Sequence, residues 1–244
     1  MKYMGSKSRI KKGLLLIIQK IIKDYKITNY IEPFVGGANV IDDVICTEKI
    51  GGDNNEVLIE LLKYVKAGGE LPDLIDKELY SDVRKNKNTN KYPKWYIGAV
   101  GFLASYNGRY FDGGYAKPVV SKTGVYRDYY NEAKRNLEKQ SVKFKDINFS
   151  YGDYTQFSNL TNSLIYCDIP YANTKQFSTS KNFDYEKFWN WARKMSENNI
   201  VLISEHSAPK DFVCIWEQEV TRTQNNKDRQ IATEKLFTIN NLNL

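Results

Sequence analysis

Asp168-Ile169-Pro170-Tyr171 follows the apolar run Ser163-Leu164-Ile165-Tyr166-Cys167, which places these four residues where a buried strand empties into a loop. An acid, a rigid turn and an aromatic in that position suit a planar amine. The exocyclic amino group of adenine or cytosine is a poor nucleophile because its lone pair is delocalised into the ring, and acceptors that favour its tetrahedral form make it reactive. Asp168 offers one acceptor and the carbonyl of Ile169 a second. Pro170 has no N–H and a fixed φ, which limits the loop, while Tyr171 presents a flat face on which an extruded base can stack. The same residues also read as an ordinary strand-end turn, so their weight depends on the rest of the chain.

A second constellation lies upstream. Asn29-Tyr30-Ile31 predicts a strand ending at Glu32-Pro33-Phe34, after which Val35-Gly36-Gly37-Ala38-Asn39 turns into a short helix through Val40, Ile41, Val44 and Ile45. A strand near Lys49-Ile50-Gly51-Gly52 then delivers Asp53-Asn54-Asn55, and a helix runs from Glu56 to Val65. This is a βαβ unit. Glycines at its first turn let a cofactor approach the backbone, and an acid at the tip of the next strand can hold both hydroxyls of a ribose. Asp53 lies 17 positions after Gly36, near the ~20-residue offset of nucleoside-binding units. Gly36-Gly37-Ala38 lacks the spacing of a phosphate cradle, so a nucleoside without pyrophosphate fits better, and S-adenosylmethionine is the obvious one. Two tight turns after two strands is the plainer alternative.

The elements around these motifs alternate. From Ser8 a helical pattern puts Ile10, Leu14, Ile17, Ile18, Ile21 and Ile22 on one stripe. With 244 residues and 41% hydrophobic content the chain has ample material for a globular core, either one large domain or a core with an insertion. No stretch approaches a membrane span and the first residues lack a signal-peptide apolar region, so a cytoplasmic protein is expected, in a bacterium or a phage-infected cell. Cys46, Cys167 and Cys214 show neither paired spacing nor histidine neighbours, which argues against disulfides and a zinc site.

Charge is unevenly distributed. The formal net charge is +7, yet residues 63 to 145 hold 17 basic and 9 acidic side chains, while the two flanks together hold 19 and 20. A basic insertion between two nearly neutral halves suits a polyanion; a solvated basic surface is the other reading.

Taken in order, Lys2-Tyr3-Met4-Gly5-Ser6-Lys7, Tyr30-Ile31-Glu32-Pro33-Phe34-Val35-Gly36-Gly37, Asp53, Gly152-Asp153-Tyr154 and Asp168-Ile169-Pro170-Tyr171 resemble a Dam-type DNA adenine-N6 methyltransferase. The motif order is that of the alpha group, and the likeness continues through Ser204-Glu205-His206 and the run from Arg222 to Asn240. The resemblance implies that Tyr3 and Lys7 touch the cofactor, and that the loop Glu32, Pro33, Phe34, Gly36 and Gly37 surrounds its methionine and adenosine portions. It further implies that Asp53 binds the ribose, and that Asp153 accepts from the amino group of the cofactor's adenine, with Tyr154 or Phe157 beside that ring. Two departures stand out: Ile169 replaces the usual first proline, and Ala38 replaces a frequent third glycine. The first keeps the backbone carbonyl; the second lies beyond the close-approach positions.

The implied fold is α/β, a class I S-adenosylmethionine-dependent methyltransferase with a Rossmann-like, mostly parallel seven-stranded sheet, helices on both faces and a final hairpin from Val213 to Val220 and Glu234 to Asn240. The expected division is residues 1 to 62 and 146 to 244 for the catalytic core and residues 63 to 145 for target recognition. Within the insertion, Asn107, Arg109 and Tyr110 sit in an aromatic and glycine-rich loop, and Arg109 and Asn107 suit guanine and adenine edges. Lys117 and Lys122, with the lysines from Lys85 to Lys94, suit phosphates. The charged helix from Asp128 to Gln140 is expected to cover a surface or run beside the DNA backbone. His206, the single histidine, is expected to be structural, because a sulfonium donor needs no general base.

The expected reaction is methyl transfer to the N6 of a flipped-out adenine in double-stranded DNA, by a monomer or weak dimer without metal. Other planar amines, such as cytosine N4 or an RNA adenine, and a catalytically inactive DNA-binding relative remain alternatives.

Overall fold

The computed structural model of the protein describes residues 1–121, 123–172, 183–225 and 228–242, and for residues 221–231 it describes backbone only. Lys122 lies outside the described residues.

The first strand, β1 (Asn29–Glu32), lies parallel to β2 (Glu48–Asp53) on one side and to β6 (Ser163–Asp168) on the other. Beyond β2 lies β5 (Ile147–Tyr151), and beyond β6 lies β7 (Ile200–Glu205), both parallel to their neighbours. The sheet closes with β9 (Asp228–Thr238), antiparallel to β7, and β8 (Val213–Asn225), antiparallel to β9. The resulting order is β5-β2-β1-β6-β7-β9-β8, seven strands with the final hairpin at one edge. This is the class I methyltransferase fold. The hairpin is longer than its sequence signal, because its tip carries polar residues that break the apolar pattern while the ladder continues to Asn225 and Asp228.

Strand alternation divides the core in two. Leu164, Tyr166 and Leu202 face the layer containing α1 (Lys11–Asp24), α2 (Glu56–Lys66) and α5 (Tyr129–Ser141). Ile165, Cys167, Val201 and Ile203 face α6 (Tyr185–Ser196), through Phe188, Trp191 and Met195. In α1 the expected stripe is buried at Leu14, Ile18 and Ile21. A Cβ on Gly13 would fall 2.8 Å from the Trp216 ring, so this glycine brings α1 close to β8. Side-chain caps start the other long helices: Asn55 for α2, Asp128 for α5 and Asp184 for α6.

Two local expectations are corrected. The helix after the glycine turn is a single 3-10 turn, Ile41–Asp43, and Val44 is already extended. Asp42 and Asp43 reach sideways to Lys11, and Asp43 also pairs with Lys143, which anchors the turn without a longer helix. The charged helix α5 is not a surface cover. Tyr130, Ala133, Leu137 and Gln140 recur at helical spacing and are buried, and Gln140 Nε2 donates to the carbonyls of Gly37 and Ala38 at 3.1 and 2.9 Å. Four buried positions in 13 residues suffice for docking, because spacing and not abundance defines the face.

Between α2 and α5 the chain forms α3 (Lys77–Asn86) and α4 (Lys94–Gly98), which runs on into a wide turn at Ala99–Leu103 whose residues are all buried. A small exposed ribbon, β3 (Val119–Val120) with β4 (Tyr126–Arg127), follows.

Candidate active site

The strand tips of β1, β2 and β6 converge because these strands are adjacent and parallel, so residues far apart in sequence share one edge of the sheet. The glycine turn after β1 is tied to β2 by Val35 N–H donating to Gly52 O at 2.8 Å and by Gly36 N–H donating to Asp53 Oδ2 at 3.1 Å. Asn55 N–H donates to the other Asp53 oxygen at 3.0 Å. Burial pushes the Asp53 carboxyl up to about 6, against the pull of those two N–H groups.

Tyr3 lies flat on this turn. Cβ atoms on Gly36 and Gly37 would fall 2.9 and 2.8 Å from it, so only glycines admit the ring. Burial, with the carboxylates of Asp53 and Asp168 adding to it, holds the Tyr3 phenol far above its ordinary range. Ala38 takes a left-handed conformation, φ +54. The preference for glycine there is therefore conformational: Ala38 accepts backbone strain of about 1 kcal/mol.

Pro33 is buried, and Glu32 is buried with its Oε1 accepting from the Tyr30 hydroxyl at 2.8 Å. Burial pushes its carboxyl well above the carboxylate range. Phe34 joins an aromatic group with Tyr154, Phe183 and Phe188, at ring separations of 5.5 to 5.8 Å. The Tyr154 hydroxyl is buried with no hydrogen-bond partner among the described residues. Asp153 is exposed; its Oδ1 accepts from Thr155 N–H and Oγ1, at 3.0 and 2.7 Å. Phe157 lies against bare backbone, since a Cβ on Gly52 would fall 2.6 Å from its ring.

At the tip of β6, Asp168 Oδ1 lies 2.8 Å from Lys7 Nζ. Burial raises the Asp168 carboxyl, and Lys7 opposes that rise. Ile169 is buried, anchoring the loop where its carbonyl follows the acid. The Pro170 carbonyl accepts from the Tyr185 hydroxyl at 2.9 Å, which fixes the turn to α6. Tyr171 donates its phenol to Glu234 Oε2 at 2.6 Å, meets the edge of His206 at 4.6 Å and carries Lys7 Nζ 4.5 Å from its ring centre. His206 Nδ1 contacts the Thr233 carbonyl at 3.1 Å, in keeping with a structural part. Sequence reasoning did not single out Glu234; an acid two positions from Leu236 on one face of a strand, where the other side chain is fully buried, was the available signal.

The residues of the middle loop come to the same side through the N-terminal segment. Asn107 (φ +57) and Gly108 (φ +66) make the turn, and a Cβ on Gly108 would fall 2.4 Å from the Lys2 carbonyl, next to Tyr3. Asn107, Arg109 and Lys117 are exposed. Tyr110 is half-buried between Phe102 and Phe111, with Lys87 Nζ 5.3 Å from its ring centre. Several of the basic groups are already paired: Lys91 with Asp82, Lys94 with Glu56. A groove of about 1050 Å³, lined by Asn54, Asn55, Lys87, Lys91, Tyr110 and Tyr151 among others, opens one residue beyond Asp53 and does not include Asp168.

These groups fit S-adenosylmethionine. Its ribose hydroxyls match a carboxylate fixed at a strand tip, its adenine matches an aromatic group beside Asp153, and its cationic end matches the acids at the neighbouring strand tips, Asp53 and Asp168. Among the described residues no cluster of His, Cys, Asp or Glu could hold a metal, and no helix is long and apolar enough to cross a membrane.

Comparison with known proteins agrees. The chain is 24% identical over 248 residues to the type II methyltransferase M.MjaIII of Methanocaldococcus jannaschii, covering 87% of this chain and 85% of that protein. It is 27% identical over 195 residues to the modification methylase StsI of Streptococcus sanguinis, covering 70% of this chain and 28% of that one. Residues 3–190, which carry both strand-tip acids, the glycine turn and the middle loop, match the family described as D12 class N6 adenine-specific DNA methyltransferase, and the chain belongs to that family of S-adenosylmethionine-dependent enzymes.

Proposed function

We propose that the chain methylates the N6 of an adenine flipped out of double-stranded DNA, at a specific sequence, with Asp168, Ile169, Pro170 and Tyr171 as the groups that touch the target base. The convergence of Asp168 with the Tyr3, Gly36 and Asp53 assembly at one sheet edge carries this reading. S-adenosylmethionine, held here, would supply a methyl group already activated on a sulfonium: transfer to N6 would break the S–CH3 bond, leave S-adenosylhomocysteine, and release one N6 proton to solvent after attack. Asp168 and the Ile169 carbonyl accept the hydrogens of the target amino group and keep its lone pair free for attack. Tyr171 stacks on the base, offsetting the few kcal/mol that extrusion from the duplex costs. Asp53 holds the ribose of the cofactor, Asp153 uses its second oxygen for the cofactor's adenine, and Tyr3, Lys7, Glu32, Pro33, Phe34, Gly37 and Tyr154 complete that pocket.

Residues 63 to 145 form the recognition part in this reading. Asn107 and Arg109, exposed on a tight turn beside the N-terminal segment, read base edges; Tyr110 and Lys117 contact the DNA backbone, a role that its charge and sequence position also suggest for Lys122. The names of the two relatives, a type II methyltransferase and a modification methylase, support site-specific modification. The protein acts on DNA in the cytoplasm as a monomer or weak dimer. Incubating DNA with the chain and labelled S-adenosylmethionine, then digesting to nucleosides, tests the reading: label is expected in N6-methyladenine. Label in N4-methylcytosine, or transfer to RNA in preference to DNA, would refute it.

A further inference from the structure

Glu234 stands beyond residue 190, where the family match ends, and reaches into the site from β9. Its side chain is buried, accepts from Tyr171 at 2.6 Å and lies 3.6 Å from Lys7 Nζ. Lys7 in turn sits 2.8 Å from Asp168 Oδ1 and 4.5 Å from the Tyr171 ring centre. One ammonium group thus holds both features a flipped base requires, an acceptor on Asp168 and contact with the Tyr171 ring. An amino group that bonds Asp168 Oδ1 competes with Lys7 for that oxygen, and a shift of Lys7 away from Asp168 frees it. A buried cation that leaves its partner needs another counter-ion, since an unpaired charge in such surroundings is strongly disfavoured.

We infer that Glu234 is a positioning residue for methyl transfer: it is the second anchor of Lys7, receiving the ammonium when the target amino group takes Asp168, while it also orients the Tyr171 ring. The inference rests on the roles proposed above for Asp168 and Tyr171. Glu234 needs to move little, because Lys7 already lies between the two acids. The charge of Glu234 matters for the exchange; a neutral oxygen is enough for the phenol.

Among the described residues, the titratable groups that act electrostatically on Asp168 or Lys7 include Tyr3 from the N-terminal segment, Glu32 from β1, Tyr166 and Cys167 from β6, Tyr171 from its loop, Glu205 from β7 and Glu234 from β9. Of these, Glu234 adds a negative charge that raises the Asp168 carboxyl. Removing that charge moves the acid limb of the rate profile to lower pH.

The test uses the full chain, tritiated S-adenosylmethionine and DNA free of N6-methyladenine. In E234Q, which keeps an oxygen for Tyr171, turnover is expected to fall about tenfold, with cofactor affinity within about twofold of wild type and the acid limb displaced downward. Combining E234Q with Lys7→Gln is expected to be less than multiplicative, because one variant removes the group through which the other acts. E234D keeps the charge but shortens the reach, and gives a second reading should E234Q fold poorly: its turnover falls at unchanged cofactor affinity. Wild-type turnover in either variant, or a multiplicative double variant, overturns the inference. A wild-type chain that leaves adenine unmethylated overturns the proposed reaction and this inference together, and is distinguishable because it needs no variant.

Discussion

Asp53 Oδ2 accepts the backbone N–H of Gly36 at 3.1 Å, joining the tip of β2 to the turn after β1. One carboxylate thereby shapes the glycine turn while keeping lone pairs for a ribose. Replacing Asp53 with Ala removes both, and S-adenosylmethionine binding is expected to weaken by about 1.5–3 kcal/mol. Isothermal calorimetry that returns the wild-type dissociation constant would reduce Asp53 to a turn residue.

The same carboxyl, at about 6, sets a pH dependence. An unfolded aspartate ionises near ~3.9, so between about pH 4 and 6 the folded chain holds a proton that the unfolded chain has released. The contribution of Asp53 to stability therefore declines as pH rises through that window. Cofactor binding needs the ionised form and runs the other way, tightening as pH rises through about 6. Asp53→Asn is expected to flatten the affinity profile between pH 5 and 7; a profile with the wild-type slope would assign the dependence to another group.

Asp168→Ala leaves Asp53 and the glycine turn in place, and Lys7 retains Glu234 within 3.6 Å as a counter-ion. Methyl transfer is expected to drop by a factor of about 10² or more while cooperative unfolding persists. Near-normal single-turnover rates in this variant would sink the proposed chemistry.

Arg109 and Lys117 are both exposed, yet different losses are expected from each. Arg109→Ala should relax the methylated sequence at one position, losing about 1–3 kcal/mol of discrimination, whereas Lys117→Ala should weaken all DNA about equally and flatten the salt dependence. Methylation profiling of the two variants makes the comparison. A uniform loss with an unaltered recognition sequence in Arg109→Ala would move that residue to the phosphates.

Gly108 combines φ +66 with a backbone contact, its absent Cβ falling 2.4 Å from the Lys2 carbonyl. Ala at this position is expected to cost about 1–3 kcal/mol. Because Lys2 precedes the Tyr3 ring on the glycine turn, the KM for S-adenosylmethionine should rise as well. Denaturant melts with an unchanged midpoint would show that the two backbones separate freely.

Periodicity and turn chemistry in the chain itself determined β1, β2, α1, α2 and the loops that hold Gly36, Asp53 and Asp168, because those signals are local. The incomplete glycine pattern was legible too, although the reason glycine suits position 38 required the φ of +54 seen at Ala38. The docking of α5 through Gln140 depended on which few positions face the core. The length of the 3-10 turn at Ile41–Asp43 depended on lysines from α1 and from beyond α5. The meeting of Lys7, Asp168, Tyr171 and Glu234 depended on three chain segments more than 60 residues apart, brought together by a parallel sheet and an antiparallel hairpin. Local sequence can specify which residue ends a strand; only the order of strands in the sheet decides which other ends lie beside it.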